Sequence, residues 1–347
     1  MFDHTRQVLA AAIQQRAFPA AVIEVGDASQ LLWREAFGRL AFRDDAPRAA
    51  HDTIFDLASL TKVLATTPLV LQQIERGALG LDDTVEQHLP SWTGGDRPRV
   101  TVRDLLSHSS GLRAYLPLYK EHTGRAAFEA AICNLPLEYA PRAASVYSDL
   151  GFMLLGFILE NAGTLPERFA ALMTQMGIIQ EIQFTPPALW KARTAPTEED
   201  PWRRRILTGE VHDENAAALG GVAGHAGLFG TVASVGDHAR HLLQILDGRR
   251  GAFSREALEI FVTRREGIPG SSRALGWDTM LATSSCGTRM SRRSFGHTGY
   301  TGTSLWIDPD RGIYVALLTN RVHPTRANDQ ITQVRPAVHD AVMLDVS

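Results

Sequence analysis

The run DTIFDLASLTKVLATTPLVLQQIERG, residues 52–77, is apolar from Ile54 onward and closes on a glycine. Its pattern predicts a helix from about Ser59 to Arg76 with Gly77 as the C-terminal stop. Pro68 lies inside that helix and is expected to kink it or displace its start. At the helix start stands Ser59-Leu60-Thr61-Lys62. Residues three apart share a helix face, so the Ser59 hydroxyl and the Lys62 amine can meet. A free serine is a weak nucleophile and needs a neighbouring base. A helix start also aims backbone N–H groups at developing negative charge. Lysine is rare here: of 35 basic residues only Lys62, Lys120 and Lys191 are lysines. Unlike arginine, a buried lysine can lose its proton, so one in an apolar segment points to proton transfer.

Outward from this run, the chain is ordered by its hydrophobic periods. Val8, Leu9, Ala12 and Ile13 predict an amphipathic helix over about Asp3 to Arg16. AAVIEVGD from Ala20 and LLWREAFG from Leu31, separated by a short polar step, predict an antiparallel hairpin. From Leu79 to Ala218 short helical patterns alternate with loops, among them TVRDLLSHSSGL from Thr101 and YSDLGFMLLGFILENAG from Tyr147. GGVAGHAGLFG follows from Gly220, and Ser234 with Asp237 reads as a capping box opening a helix to about Leu246. SFGHTGYTGTSLWIDPDRGIYVALLTNR, broken by the turn signal at residues 308–312, predicts two or three antiparallel strands. A last helix is expected near Ala327 to Met343. Strands at both ends with helices between them imply an α+β fold. Its sheet would be built from both termini, residues 1–58 and 219–347, around a mainly helical lobe over residues 59–218.

Composition narrows the function. A net charge of -3 leaves no footprint for nucleic acid or an anionic membrane. No stretch approaches the ~20 apolar residues of a membrane span. The N-terminus shows no secretory pattern, so a cytoplasmic protein is expected, with export left open. Cys133 and Cys286 read as small buried residues rather than a bridge or a nucleophile. His212, Asp213 and Glu214 with His225 lack metal-ligand spacing and read as a polar loop bordering a cleft. His238 and His241 lie on a charged helix and are expected in solvent. No metal or organic cofactor is expected.

Three short motifs, in order, resemble the signature elements of the penicillin-recognising serine hydrolases: Ser59-x-x-Lys62, Tyr147-Ser148-Asp149 and His297-Thr298-Gly299. The likeness is greatest to the class C β-lactamases and their related esterases and D-amino-acid peptidases. FDLASLTK, TVRDLLSHSSGL, ERGALGLDD and GLFGTVASVGDHAR are similar to that branch as well, so the resemblance runs from about Ala20 to Ala341. It implies a β-lactamase/transpeptidase-like fold and an acyl-enzyme on Ser59. Lys62 and Tyr147 would share the proton, either as neutral amine or as phenolate. The N–H groups of Ser59 and Tyr300 would form the oxyanion hole. His297, Thr298 and Gly299 would line the sheet side of the cleft, a cationic His297 holding a substrate carboxylate; Arg321 or Arg326 could also reach that carboxylate. Two departures stand out. Asp149 replaces the family's usual Asn and is expected to put a negative charge and no N–H donor in the cleft, favouring small esters over β-lactams. His297 stands where many β-lactamases carry lysine. The implied substrate is a small ester, amide or peptide. Cell-wall muropeptide amidase and D-amino-acid peptidase are the alternatives, and a non-catalytic sensor or scaffold is a further one. Neither oligomeric state nor pathway can be read from the sequence.

Overall fold

The computed structural model describes residues 2–95, 97–179, 181–268 and 270–347. Ala20–Asp27 and Leu31–Gly38 form the hairpin with the expected boundaries. The first of these strands then pairs, antiparallel, with Ile313–Thr319 near the other end of the chain, with Val22 opposite Leu318. From there the sheet continues through Ser304–Asp308 and Phe295–Thr298 to Asp278–Thr279 at the far edge. Period-2 alternation explains how both faces are covered. Ala21, Ile23 and Val25 pack with Leu9, Trp306 and Val342 on the face covered by the two terminal helices, Asp3–Gln14 and Ile331–Asp345. Ala20 and Val22 point the other way, into the core shared with the helix Val232–Leu246.

Three sequence-based expectations are corrected. The run after Ser59 is not a continuous α-helix: Lys62–Thr66 form a π-helical turn, and the α-helix proper is Thr67–Glu75. Pro68 has no N–H to give the carbonyl four residues back, and its ring would collide there, so the wider turn absorbs it. The late helix is capped by Thr231, whose hydroxyl accepts from the Ser234 N–H at 3.3 Å, three residues before the expected cap. Asp237 instead pairs with Arg240 at 2.6 Å. His238 is buried with no partner on either ring nitrogen among the described residues, and burial pushes it down to about 3. It is a neutral core residue.

The second apolar helix, Asp149–Glu160, is capped by Ser148, whose hydroxyl accepts from Gly151 N–H at 3.2 Å. It packs against the π-helical turn, which sets Tyr147 and Asp149 facing Lys62. The loop 220–230 closes over both. A Cβ at Gly224 would lie 2.1 Å from the Phe152 carbonyl oxygen and 2.9 Å from Cα of Gly156, so only glycine allows this approach. No helix among the described residues is long and apolar enough to cross a membrane.

Candidate active site

Ser59 sits on a tight turn rather than inside a helix. Ala58 before it is left-handed, φ 47°, an uncommon conformation for a residue with a side chain. Asp56 holds that turn: its carboxylate accepts from Ala58 N–H at 2.8 Å and from His212 N–H at 2.6 Å. Thr301 and Thr303 donate their hydroxyls to the carbonyls of Asp56 and Leu57, stitching the turn to the edge of the sheet. Among the described residues the N–H groups of Ser59 and Tyr300 donate to no protein acceptor.

Lys62 is 0% exposed, and its ammonium donates in three directions. Its acceptors are Ser59 Oγ at 3.0 Å, Asp149 Oδ1 at 2.7 Å and the His225 carbonyl at 3.2 Å. Nζ also lies 4.9 Å from the Tyr147 ring centroid. Burial by itself would push this amine down. The Asp149 carboxylate and the Tyr147 phenol more than offset that, so Lys62 stays above the ordinary lysine value. Tyr147 is raised by burial, and the nearby Lys62 pulls it back only in part. At rest the site therefore holds an ammonium and a neutral phenol. Neither the free amine nor the phenolate stands ready beforehand.

Asp149 thus differs from its sequence reading. It borders the cleft, as expected, but as the counter-ion of the buried lysine, and Coulomb attraction at this range in a shielded site is strong. His297 also departs from expectation. Burial first, then the nearby cations Lys62 and Arg273, hold it well below 6.5, so it is neutral and not a carboxylate-binding cation. Its Nδ1 lies 2.8 Å from the Thr298 carbonyl, which makes Nδ1 the protonated nitrogen and Nε2 an acceptor without a partner.

Ser59, Tyr147, His297, Thr298, Gly299 and Tyr300 line one cavity of about 520 Å³. Tyr300 stands half exposed at its mouth. A second cavity of about 350 Å³ shares Ser59 and Tyr147 and is bordered by Asp149, Asp213 and Glu214. Every candidate named from the sequence therefore meets at this cleft. His212 and His225 border it as polar partners, bonded to Glu198 at 3.0 Å and Asp213 at 2.9 Å.

Besides Arg273, which lies 4.0 Å from Asp278, the larger cavity is lined by Arg321, Arg326 and Arg335, and these three divide into two kinds. Arg326 is neutralised by Glu198 at 2.6 Å and Glu214 at 2.7 Å. Among the described residues, Arg321 and Arg335 donate only to backbone carbonyls. Arg321 donates to Tyr300 O at 2.8 Å, and Arg335 to Gly299 O and Thr303 O at 2.5 and 3.0 Å. Arg335 is 8% exposed, its Nε has no partner, and burial with Arg321 nearby pushes it down to about 9. Sequence reasoning missed Arg335, Arg273 and Asp56. Asp56, two residues before the left-handed Ala58, carried a local signal as an Asx turn; the arginines carried none in a chain so rich in arginine.

The β-lactamase family model matches residues 5–339. An Escherichia coli (strain K12) protein named "Putative D-alanyl-D-alanine carboxypeptidase" is 29% identical over 359 residues, covering 90% of this chain and 81% of that protein. A Salmonella gallinarum protein of the same name is 30% identical over 323 residues, 82% of this chain and 73% of that one. Among solved structures, EstCE1, a hydrolase with promiscuous acyltransferase activity, superposes with a TM-score of 0.77 at 21% identity, covering 97% of each chain. A penicillin-binding protein homologue from Caulobacter crescentus gives 0.77 at 19% identity over 98% of this chain and 97% of that one.

Proposed function

The chain belongs to the β-lactamase family of serine hydrolases, and from that membership we propose that it works through an acyl-enzyme on Ser59 and cleaves substrates that carry a free carboxylate beyond the scissile bond, as a D-alanyl peptide does. The observation that carries the chemistry is the fully buried Lys62 ammonium, 3.0 Å from Ser59 Oγ and neutralised by Asp149. Ser59 Oγ attacks the substrate carbonyl carbon. Its proton passes to the Tyr147 oxygen while the Tyr147 proton moves on to the leaving nitrogen or oxygen. Lys62 stays charged throughout and stabilises the phenolate character that develops in transit. The oxyanion accepts from the N–H groups of Ser59 and Tyr300. The bond to the leaving group then breaks, leaving Ser59 as an ester. Water attacks that ester, with the same relay run in reverse, and frees the acid and Ser59.

The substrate class rests on charge. Arg321 and Arg335 line the cavity beside Ser59 with no carboxylate of their own, and a buried cation without a counter-ion is costly. A substrate carboxylate would relieve it through charge-assisted hydrogen bonds. The relatives named as D-alanyl-D-alanine carboxypeptidases fit this preference. It adds to the expectation of small esters, which rested on the amide donor that Asp149 lacks.

The test has two parts. A fluorophosphonate should add once to the wild type by intact mass and not to Ser59→Ala; equal labelling of both would sink the acyl-enzyme. An N-acylated D-alanyl-D-alanine peptide should then be cleaved with a kcat/KM at least about tenfold above its C-terminal amide, the size of one charge-assisted interaction. Equal rates for acid and amide would overturn the carboxylate preference.

A further inference from the structure

Tyr147 owes its position to a segment far away in sequence, SHSSGL at residues 107–112 with Arg113 and Ala114 after it. This stretch runs alongside residues 138–149 and receives their hydrogen bonds. Val146 N–H donates to the His108 carbonyl at 2.9 Å, and Ser148 N–H to His108 Nδ1 at 3.0 Å. Beyond the motif, Ser148 Oγ donates to Arg113 O and Asp149 N–H to Ala114 O, at 2.8 and 2.9 Å. His108 therefore grips the backbone on both sides of Tyr147. Its ring also lies against the Tyr147 ring, centroids 4.7 Å apart, and against Phe152 at 5.2 Å.

Two features show that this arrangement is costly to keep. His108 is left-handed, φ 56°, an uncommon conformation for a residue with a side chain. It is also 1% exposed, and because Nδ1 accepts from Ser148, its proton must sit on Nε2, which has no partner among the described residues. Backbone strain and a buried orphan donor on one side chain persist only where the surroundings demand them.

We propose that His108 is a positioning residue for the hydrolytic reaction, holding Tyr147 toward Ser59 by clamping residues 146–148. This rests on the reading of Ser59 as nucleophile and Tyr147 as proton relay. It acts through Tyr147 and touches neither substrate nor reacting atoms. A relay oxygen displaced by about an ångström loses much of its rate advantage, so the clamp is worth an order of magnitude or more.

Two substitutions separate clamping from space-filling. His108→Asn keeps an acceptor where Nδ1 lies and tolerates positive φ, but leaves a hole where the ring was. His108→Phe keeps a ring and loses the acceptor. The rate of fluorophosphonate labelling of Ser59 should stay within about threefold of wild type for His108→Asn and fall at least about tenfold for His108→Phe. Equal rates, or the reverse order expected of a residue that only fills space, would overturn the proposal. If the Phe variant is insoluble, His108→Ala replaces it, with a similar hole and no acceptor, and the same order is expected. Hydrogen exchange at the Ser148 amide reads the clamp without any catalysis. It should quicken in the Phe or Ala variant and stay protected in His108→Asn. If wild type never labels at Ser59, the acyl-enzyme reading fails, and the clamp is judged by this exchange alone: an unchanged Ser148 amide in the Phe or Ala variant rejects it.

Discussion

The two walls of the cleft handle charge in opposite ways. On the helical wall, Lys62 and Asp149 neutralise one another at 2.7 Å, and Tyr147 lies against the pair as a neutral phenol. On the sheet wall, Arg321 and Arg335 spend their donors on backbone carbonyls and meet no carboxylate among the described residues. A wall whose charges are paired at rest can shuttle a proton without drawing ions from solvent. A wall whose cations are left unpaired is suited to an anionic ligand. On the proposed mechanism, chemistry belongs to one side and recognition to the other.

The most severe way to break the chemical wall is to remove the relay oxygen alone. Tyr147→Phe keeps the ring against His108 and leaves the Lys62–Asp149 pair in place. Acylation of Ser59 should then slow by about 10²–10⁴-fold, the range of general acid–base catalysis, with the melting temperature little changed. Single-turnover labelling followed by mass spectrometry measures it, and a loss under tenfold would take the proton relay away from Tyr147.

A smaller effect sharpens the same wall. Asp149 raises Lys62, and in Asp149→Asn burial is left to push the amine down. The relay needs Lys62 charged, so activity is present below the Lys62 pKa and lost as pH rises through it. Asp149→Asn should accordingly bring the alkaline limb of the kcat/KM profile to lower pH. Movement of the acidic limb to lower pH instead would mean that the neutral amine is the base, since less of it would then be masked by a proton.

The smallest expected effect belongs to the sheet wall. His297 is held well below 6.5 and stays neutral, while Arg335, pushed down to about 9, keeps its proton across this range. KM for a carboxylate substrate should be flat between about pH 5.5 and 7.5, the window in which an ordinary histidine titrates. A KM that climbs through about pH 6.5 in wild type but not in His297→Gln would return carboxylate binding to a charged histidine.

What the sequence determined by itself was local. The hairpin at 20–38 followed from alternation and a short polar step, and the strands near the C-terminus from β-branched runs around a turn. The Ser59–Lys62 contact followed from three-residue spacing, which survives even though the helix there is broken into a turn and a π-helical segment. Tertiary structure decided the charge states. Lys62 and Asp149 are 87 positions apart, Ser148 and His108 are 40 apart, and Arg335 reaches Gly299 from the final helix. No period or cap encodes which of many arginines remains without a carboxylate, or which histidine is buried and neutral. Hydrogen-bond spacing is a property of a few consecutive residues, whereas desolvation and Coulomb energy depend on every group the fold brings within a few ångströms. For that reason the Lys62 partner of Asp149 and the neutral state of His297 were not legible until their neighbours were known.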